Sequence, residues 1–173
     1  MLQEDLIESL ERDGFGHYLA GLIDGEGTFL IRRGHHRDSA PRMRVKLRDD
    51  DAAILFECQR RTGLGNVYAE NKASPSCSSN SKPQMVWDVQ RRADLPKLVL
   101  ILQCFPLRAK KRRDFEIWRL AVSVWLTKPR YGHWETMEAL RRELMAERAY
   151  DEADDDSNLA PVLQLQPRLE GMS

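Results

Sequence analysis

Leu19-Ala20-Gly21-Leu22-Ile23-Asp24-Gly25-Glu26-Gly27 is the stretch on which the fold turns. Gly21 and Gly25 stand four apart, so on a helix they share one face that carries no side chain. Such a face lets a second helix approach backbone to backbone, as small-xxx-small pairs do in membranes. A helix over 16–25 is predicted, with a strand over 28–33 directly after it. Glu26 then falls at the helix C-terminus, where the dipole is already negative.

Outward from this stretch, short helices and strands follow one another. Upstream, Leu2, Leu6 and Leu10 are spaced for one face of a helix over 2–13, which Asp13-Gly14 breaks. Downstream of a polar, turn-rich loop at 34–41 comes Arg42-Met43-Arg44-Val45-Lys46-Leu47-Arg48, an unbroken alternation of cation and apolar residue. A period of two places Met43, Val45 and Leu47 on one side of a strand and the four cations on the other. Asp49-Asp50-Asp51 supply capping and favourable charge for a helix over 51–62, with Ala53, Ile54 and residues 56–58 as its buried stripe. Gly63-Leu64-Gly65 ends that helix and opens a strand through Val67 and Ala69.

The Ser- and Pro-rich segment 73–83 reads as a hairpin loop. Residues 84–90 alternate again, Met85, Trp87 and Val89 to one side and Gln84, Asp88 and Gln90 to the other. Helices are predicted over 95–105, stopped by Pro106, over 114–126 with Trp118 and Trp125 in its core, and over 134–150. Trp134, Met137, Leu140 and Leu144 form the apolar stripe of the last. The divisions are an N-terminal extension helix (1–14), a main domain (15–130), a C-terminal amphipathic helix (131–150) and an acidic, mobile tail (151–173).

At 173 residues, 42% hydrophobic and 31% charged, the chain suffices for one packed domain and is unlike a disordered one. Apolar runs such as 98–102 are far too short to span a bilayer, and the acidic start reads against a secretory signal. Three cysteines (Cys58, Cys77, Cys104) without CxxC spacing read against a disulfide framework or zinc knuckle, and for a reducing, intracellular, cytoplasmic setting. The formal net charge of zero conceals segregation. Residues 1–27 hold one Lys/Arg against seven Asp/Glu, 28–113 hold nineteen against eight, and 131–173 hold four against ten. Screening over roughly 10 Å lets a basic middle act independently of distant acids, which favours a polyanionic partner over an ordinary solvated surface.

The nine residues 19–27 resemble the signature of the LAGLIDADG homing endonucleases, with Gly25 in place of Ala and Glu26 in place of the second Asp. The predicted element order and Pro106-Leu107-Arg108-Ala109-Lys110-Lys111 are also similar to that family's repeat and its downstream basic turn, over about 15–125. The resemblance implies an α+β fold of αββαββα order, whose curved four-stranded antiparallel sheet forms a saddle on double-stranded DNA. One motif per chain implies a homodimer with Ala20, Gly21, Asp24 and Gly25 at its interface, the alternative being tight helix packing inside one chain. The implied activity is metal-dependent, site-specific double-strand cleavage at a long pseudo-palindromic site. The alternative is a non-cleaving relative that binds DNA or intron RNA as a maturase or regulator.

Twofold symmetry would bring two copies of Glu26 together at helix C-termini, where carboxylates need cations. Mg²⁺ or Mn²⁺ suits oxygen ligands, water and phosphate, and Ca²⁺ is expected to occupy the site without supporting cleavage. By resemblance Glu26 is the catalytic, metal-binding acid. Asp24 is either a second metal ligand or a structural hydrogen-bond acceptor. Lys110 is a cation at the reacting phosphate or a phosphate anchor. Asp49, or Arg48 if the register slips by one, holds a place where the family often carries Gln.

On the sheet, the resemblance assigns Thr28, Leu30 and Arg32, then Arg42, Arg44, Lys46 and Arg48, then Tyr68 and Glu70, then Gln84, Asp88 and Gln90 to the major groove. Arg and Lys suit guanine, Gln suits adenine, and acids accept from cytosine N4. Arg33, Arg37, Lys72, Lys82, Arg91, Arg92, Lys111 and Arg112 are assigned to phosphates. The loop pair His35-His36 reads as DNA-proximal or merely exposed rather than metal-binding. No membrane partner is implied, and on DNA the protein would be nucleoid-associated.

Overall fold

The structure, a computed structural model, describes residues 3–33, 39–70, 83–127 and 133–154, with side chains of the last segment described to Arg148. Helix α1 (Gln3–Glu11) precedes α2 (Phe15–Glu26), which passes without a loop into β1 (Gly27–Arg33). Strand β2 (Ser39–Arg48) leads through a single 3₁₀ turn (Asp49–Asp51) into α3 (Ala52–Thr62). Strands β3 (Asn66–Ala69) and β4 (Gln84–Val89) follow, then α4 (Leu95–Cys104), α5 (Lys111–Thr127) and α6 (Trp134–Asp154). The sheet is antiparallel throughout, in the order β1-β2-β4-β3. From α2 to α4 the order is αββαββα, as expected.

One side of the sheet is apolar because a period of two runs along β1 and β2 and is met on β4 by Trp87 and Val89. Phe29 and Ile31 on β1, Met43 and Val45 on β2, and Trp87 and Val89 on β4 are buried together. The helices close over them. Phe29 lies 5.1 Å from the Trp118 ring and 5.7 Å from Phe115, both on α5. Trp87 donates its indole N–H to Leu64 O (2.8 Å), so the fully buried ring leaves no polar atom unpaired.

The corner between α2 and β1 is tight. A Cβ on Gly27 would lie 2.5 Å from Ile23 O, a backbone atom one helical turn back. Gly27→Ala is therefore expected to destabilise the protein by about 1–3 kcal/mol, measured by chemical denaturation. An unchanged midpoint and slope would contradict this close approach.

Several expectations need correction. Strand β2 begins at Ser39, so Pro41 lies inside a strand read as starting at Arg42. The proline is tolerated because β4 pairs only with residues 43–48, leaving β2 with β1 as its one neighbour at Pro41. The buried stripe of α3 is Leu55, Cys58 and Thr62, whereas Phe56 is 49% exposed and Ala53 faces out. Asp51 makes no side-chain cap; Asp50 pairs with Arg48 instead. Helix α5 starts at Lys111, ahead of 114, and α6 continues to Asp154, four residues into the segment read as tail. Trp118 is fully buried as expected, with Trp125 packed beside the core. Residues 155–173, Cys77 and the pair His35-His36 lie outside the described residues. Among the described residues no helix is long and apolar enough to cross a membrane.

Candidate functional site

Helix α2 ends at the mouth of a cleft of about 510 Å³. Its walls are Asp24 from α2, Gly27 and Thr28 from β1, Ala109 and Lys110 from the turn before α5, Lys111 and Asp114 from α5, and Arg148 from α6. Glu26, the last residue of α2, is exposed at this corner, and its charge acts on Lys111. The Lys111 ammonium donates to Gly27 O (2.6 Å) and Gly25 O (3.3 Å), joining α5 to the end of α2. Burial draws its pKa below the ordinary lysine value, opposed by the negative charges of Asp114, Asp24 and Glu26.

Asp24 is occupied structurally. Its Oδ2 accepts the backbone N–H groups of Arg108 (2.7 Å) and Ala109 (3.1 Å), which fixes the turn that carries Lys110. Its Oδ1 is buried without a hydrogen-bond partner among the described residues. Asp49 lies in the 3₁₀ turn, where its N–H donates to Pro83 O (3.2 Å), and it is not among the cleft-lining residues. Asp114 and Arg148 were not legible as site residues. Arg148 donates to Asp114 Oδ2 (3.0 Å) and to Phe29 O, contacts made by a helix more than a hundred residues from β1 in sequence.

The free side of α2 is glycine-lined. At Gly21 and Gly25 a Cβ would meet none of the described residues within 4 Å, whereas at Gly16 it would fall 2.5 Å from the Phe105 ring. His17, Gly21 and Asp24, with Pro106 and Arg108, border a shallow groove of about 370 Å³ along that side. Ala20, expected at an interface, also touches the groove but is 5% exposed and packs in the core.

The second side of the sheet carries the polar set. In register, Thr28 stands opposite Arg44, Leu30 opposite Arg42, Arg44 opposite Asp88, Lys46 opposite Val86 and Arg48 opposite Gln84. Tyr68 stands opposite Val86, and Arg32 continues the face on β1. The cations are mostly paired across strands. Arg42 forks onto Asp88, Lys46 Nζ donates to Glu70 (2.8 Å), and Arg44 reaches the same carboxylate at 3.3 Å. Lys46 and Arg44 hold Glu70 below its ordinary pKa, Lys46 contributing most. Gln90 lies one residue past β4 and is exposed.

The residues assigned to phosphates scatter. Arg33 donates twice to Glu138 of α6 (2.5 and 3.2 Å) and lies 5.7 Å from the Trp134 ring. Arg91 donates to Asn66 Oδ1 (2.9 Å). Arg92 instead binds the C-terminal carbonyls of α5, Trp125 O (3.0 Å) and Leu126 O (2.7 Å), away from the polar side of the sheet. Arg112 is exposed at the start of α5, while Arg37, Lys72 and Lys82 lie outside the described residues.

The carboxyl of Glu138 is held at about 2, below its ordinary 4.5, by hydrogen bonds from Arg141 and Arg33. A lowered carboxylate pKa contributes stability that is complete above pH 4.5 and is lost as pH falls towards 2. The melting temperature of wild type is thus expected to fall more steeply across that window than that of Glu138→Gln. Parallel acid profiles would contradict the assignment.

An αββαββα unit with a bare glycine face on its first core helix and an acid at that helix's end has the architecture of the homing-endonuclease fold. The chain belongs to the LAGLIDADG endonuclease family, whose pattern it matches over residues 19–122. It is 28% identical over 111 residues to the probable intron-encoded endonuclease Cox1-I1b of Schizosaccharomyces pombe, covering 62% of this chain and 27% of the relative. The chain thus spans about a quarter of that relative's length.

Among solved structures it is similar to the LAGLIDADG meganuclease I-AabMI bound to uncleaved DNA, with 27% identity and a TM-score of 0.54. That likeness covers 63% of this chain and 36% of the other. It shares the fold of the archaeal intron-encoded homing endonuclease I-Vdi141I complexed with DNA, with a TM-score of 0.64 and 21% identity. There 79% of this chain and 86% of the other are covered.

Proposed function

We propose that this protein is a site-specific endonuclease for double-stranded DNA that acts as a homodimer with a divalent metal ion, inside the cell and on the nucleoid. The observation that carries the reading is the continuity of the bare Gly21–Gly25 face with the exposed Glu26 carboxylate beside a cation-lined cleft. Two protomers joined through that face would set two such corners side by side, one for each DNA strand. The DNA complexes of I-AabMI and I-Vdi141I support the substrate class.

The donor set suits a hard cation. Glu26 offers an exposed carboxylate at a helix C-terminus, and Asp24 Oδ1 lacks a hydrogen-bond partner among the described residues. Mg²⁺ takes one or two carboxylates and fills its remaining positions with water and phosphate oxygens. Glu26 would hold the ion, which when bound supplies Lewis-acid charge at the phosphate and acidifies a bound water. Lys110 and Lys111 place positive charge where the pentavalent phosphate becomes more negative. Asp24 orients that turn by accepting the Arg108 and Ala109 N–H groups. Arg42, Arg44, Lys46 and Arg48, with Gln84, present donors and an amide to base edges and phosphates along the sheet.

Incubation with a randomised duplex library in Mg²⁺, followed by sequencing of cut ends, tests the proposal. The expected product is a pseudo-palindromic consensus, with chelation by EDTA abolishing cutting while gel-shift binding persists. Binding without cutting in either Mg²⁺ or Mn²⁺ would instead establish the non-cleaving relative.

A further inference from the structure

Asp88 is the most deeply buried charged group on the polar side of the sheet, 3% exposed. Both its oxygens are committed. Arg42 Nε donates to Oδ1 (2.6 Å), Arg42 Nη2 donates to Oδ2, and the Tyr68 hydroxyl donates to Oδ2 (3.2 Å). The same hydroxyl accepts from Arg42 Nη2 at 3.0 Å. With three of its about four lone-pair sites engaged and the group 3% exposed, Asp88 is not presented to cytosine N4, which removes it from the reading role first assigned to it.

The pairing also changes what Arg42 is. Of the five N–H groups on a guanidinium, Nε and both on Nη2 are used, and the two on Nη1 make no bond to a described residue. Asp88 neutralises the charge at close range, so Arg42 attracts phosphate weakly at a distance while keeping its short-range donors. Asp88 and Tyr68 fix the plane of the guanidinium before any partner arrives, which lowers the ordering cost of a contact. A neutralised, oriented, donor-only group matches a base edge that presents acceptors alone. In the major groove that edge is guanine O6/N7, since adenine places a donor beside its N7.

We infer that Arg42, positioned by Asp88 and Tyr68, reads one guanine in each half-site and is not a phosphate anchor. This rests on the endonuclease reading above. Arg48 and Lys46 differ: they are half-exposed and paired with partly exposed acids, an arrangement that phosphate can displace.

The test compares wild type with the double variant Arg42→Gln/Asp88→Asn on a randomised half-site duplex pool at several salt concentrations. Replacing both partners avoids leaving Asp88 buried and unpaired, the failure expected of Arg42→Gln alone. A thermal melt checks the fold, and Lys46→Gln serves as the phosphate control. Wild type is expected to select guanine at one position per half-site by about tenfold. The double variant should lose that preference, keep pool affinity within about threefold and leave the salt slope unchanged, whereas Lys46→Gln should lower the slope by about one.

Retained guanine preference in the folded double variant overturns this inference alone, as does a reduced salt slope with unchanged base preference. Wild type that binds no duplex overturns both this inference and the reading beneath it.

Discussion

Glu26→Gln is expected to reduce cutting by about 10³-fold or more while leaving duplex affinity within a few-fold. The substitution keeps the shape of the side chain and removes its charge. Glu26 is exposed at the end of α2, so the fold should tolerate the change within about 0.5 kcal/mol. Loss of a carboxylate facing phosphates also relieves repulsion, so binding should hold or tighten. Single-turnover linearisation of a target plasmid measures the first effect and fluorescence anisotropy the second. Equal cutting by the variant would remove Glu26 from the mechanism.

Gly21→Leu and Gly25→Leu are expected to separate folding from association. Among the described residues nothing lies within 4 Å of a Cβ at either position, and replacing a helix-interior glycine such as Gly21 gains up to about 1 kcal/mol. The melting temperature of the lone protomer should therefore hold or rise. Across a twofold interface the same side chain enters twice, at about 1–3 kcal/mol of overpacking each time, so dimerisation should weaken by about 10²-fold or more. Sedimentation equilibrium reads that shift, and cutting should fall with it. A variant that dimerises like wild type would show that the glycine face is not where protomers meet.

The sheet was largely legible because its information is local. The alternation from Arg42 to Arg48 sorts its own faces, and every cation assigned to the polar side of β2 lies there in register. The helix ends were read less well. Gly63 marks the C-terminus of α3 by its left-handed backbone (φ 68°), but the burial of Leu55 rather than Phe56 is decided by what β2, β3 and β4 present to that helix. Pairing was the least legible. Asp88 sits 46 residues from Arg42, and Arg148 reaches Phe29 O across 119, so neither contact leaves a trace in local spacing. Arg92 shows the same limit, because a cation near a strand end serves a helix C-terminus as readily as a phosphate.

A purified heterodimer of one wild-type protomer and one Glu26→Gln protomer, incubated with target plasmid in Mg²⁺, offers the most direct test. If each α2 delivers its own acid to one strand, supercoiled plasmid is converted to nicked circle and linear product is nearly absent. Linear product at the wild-type rate would contradict the paired-corner arrangement.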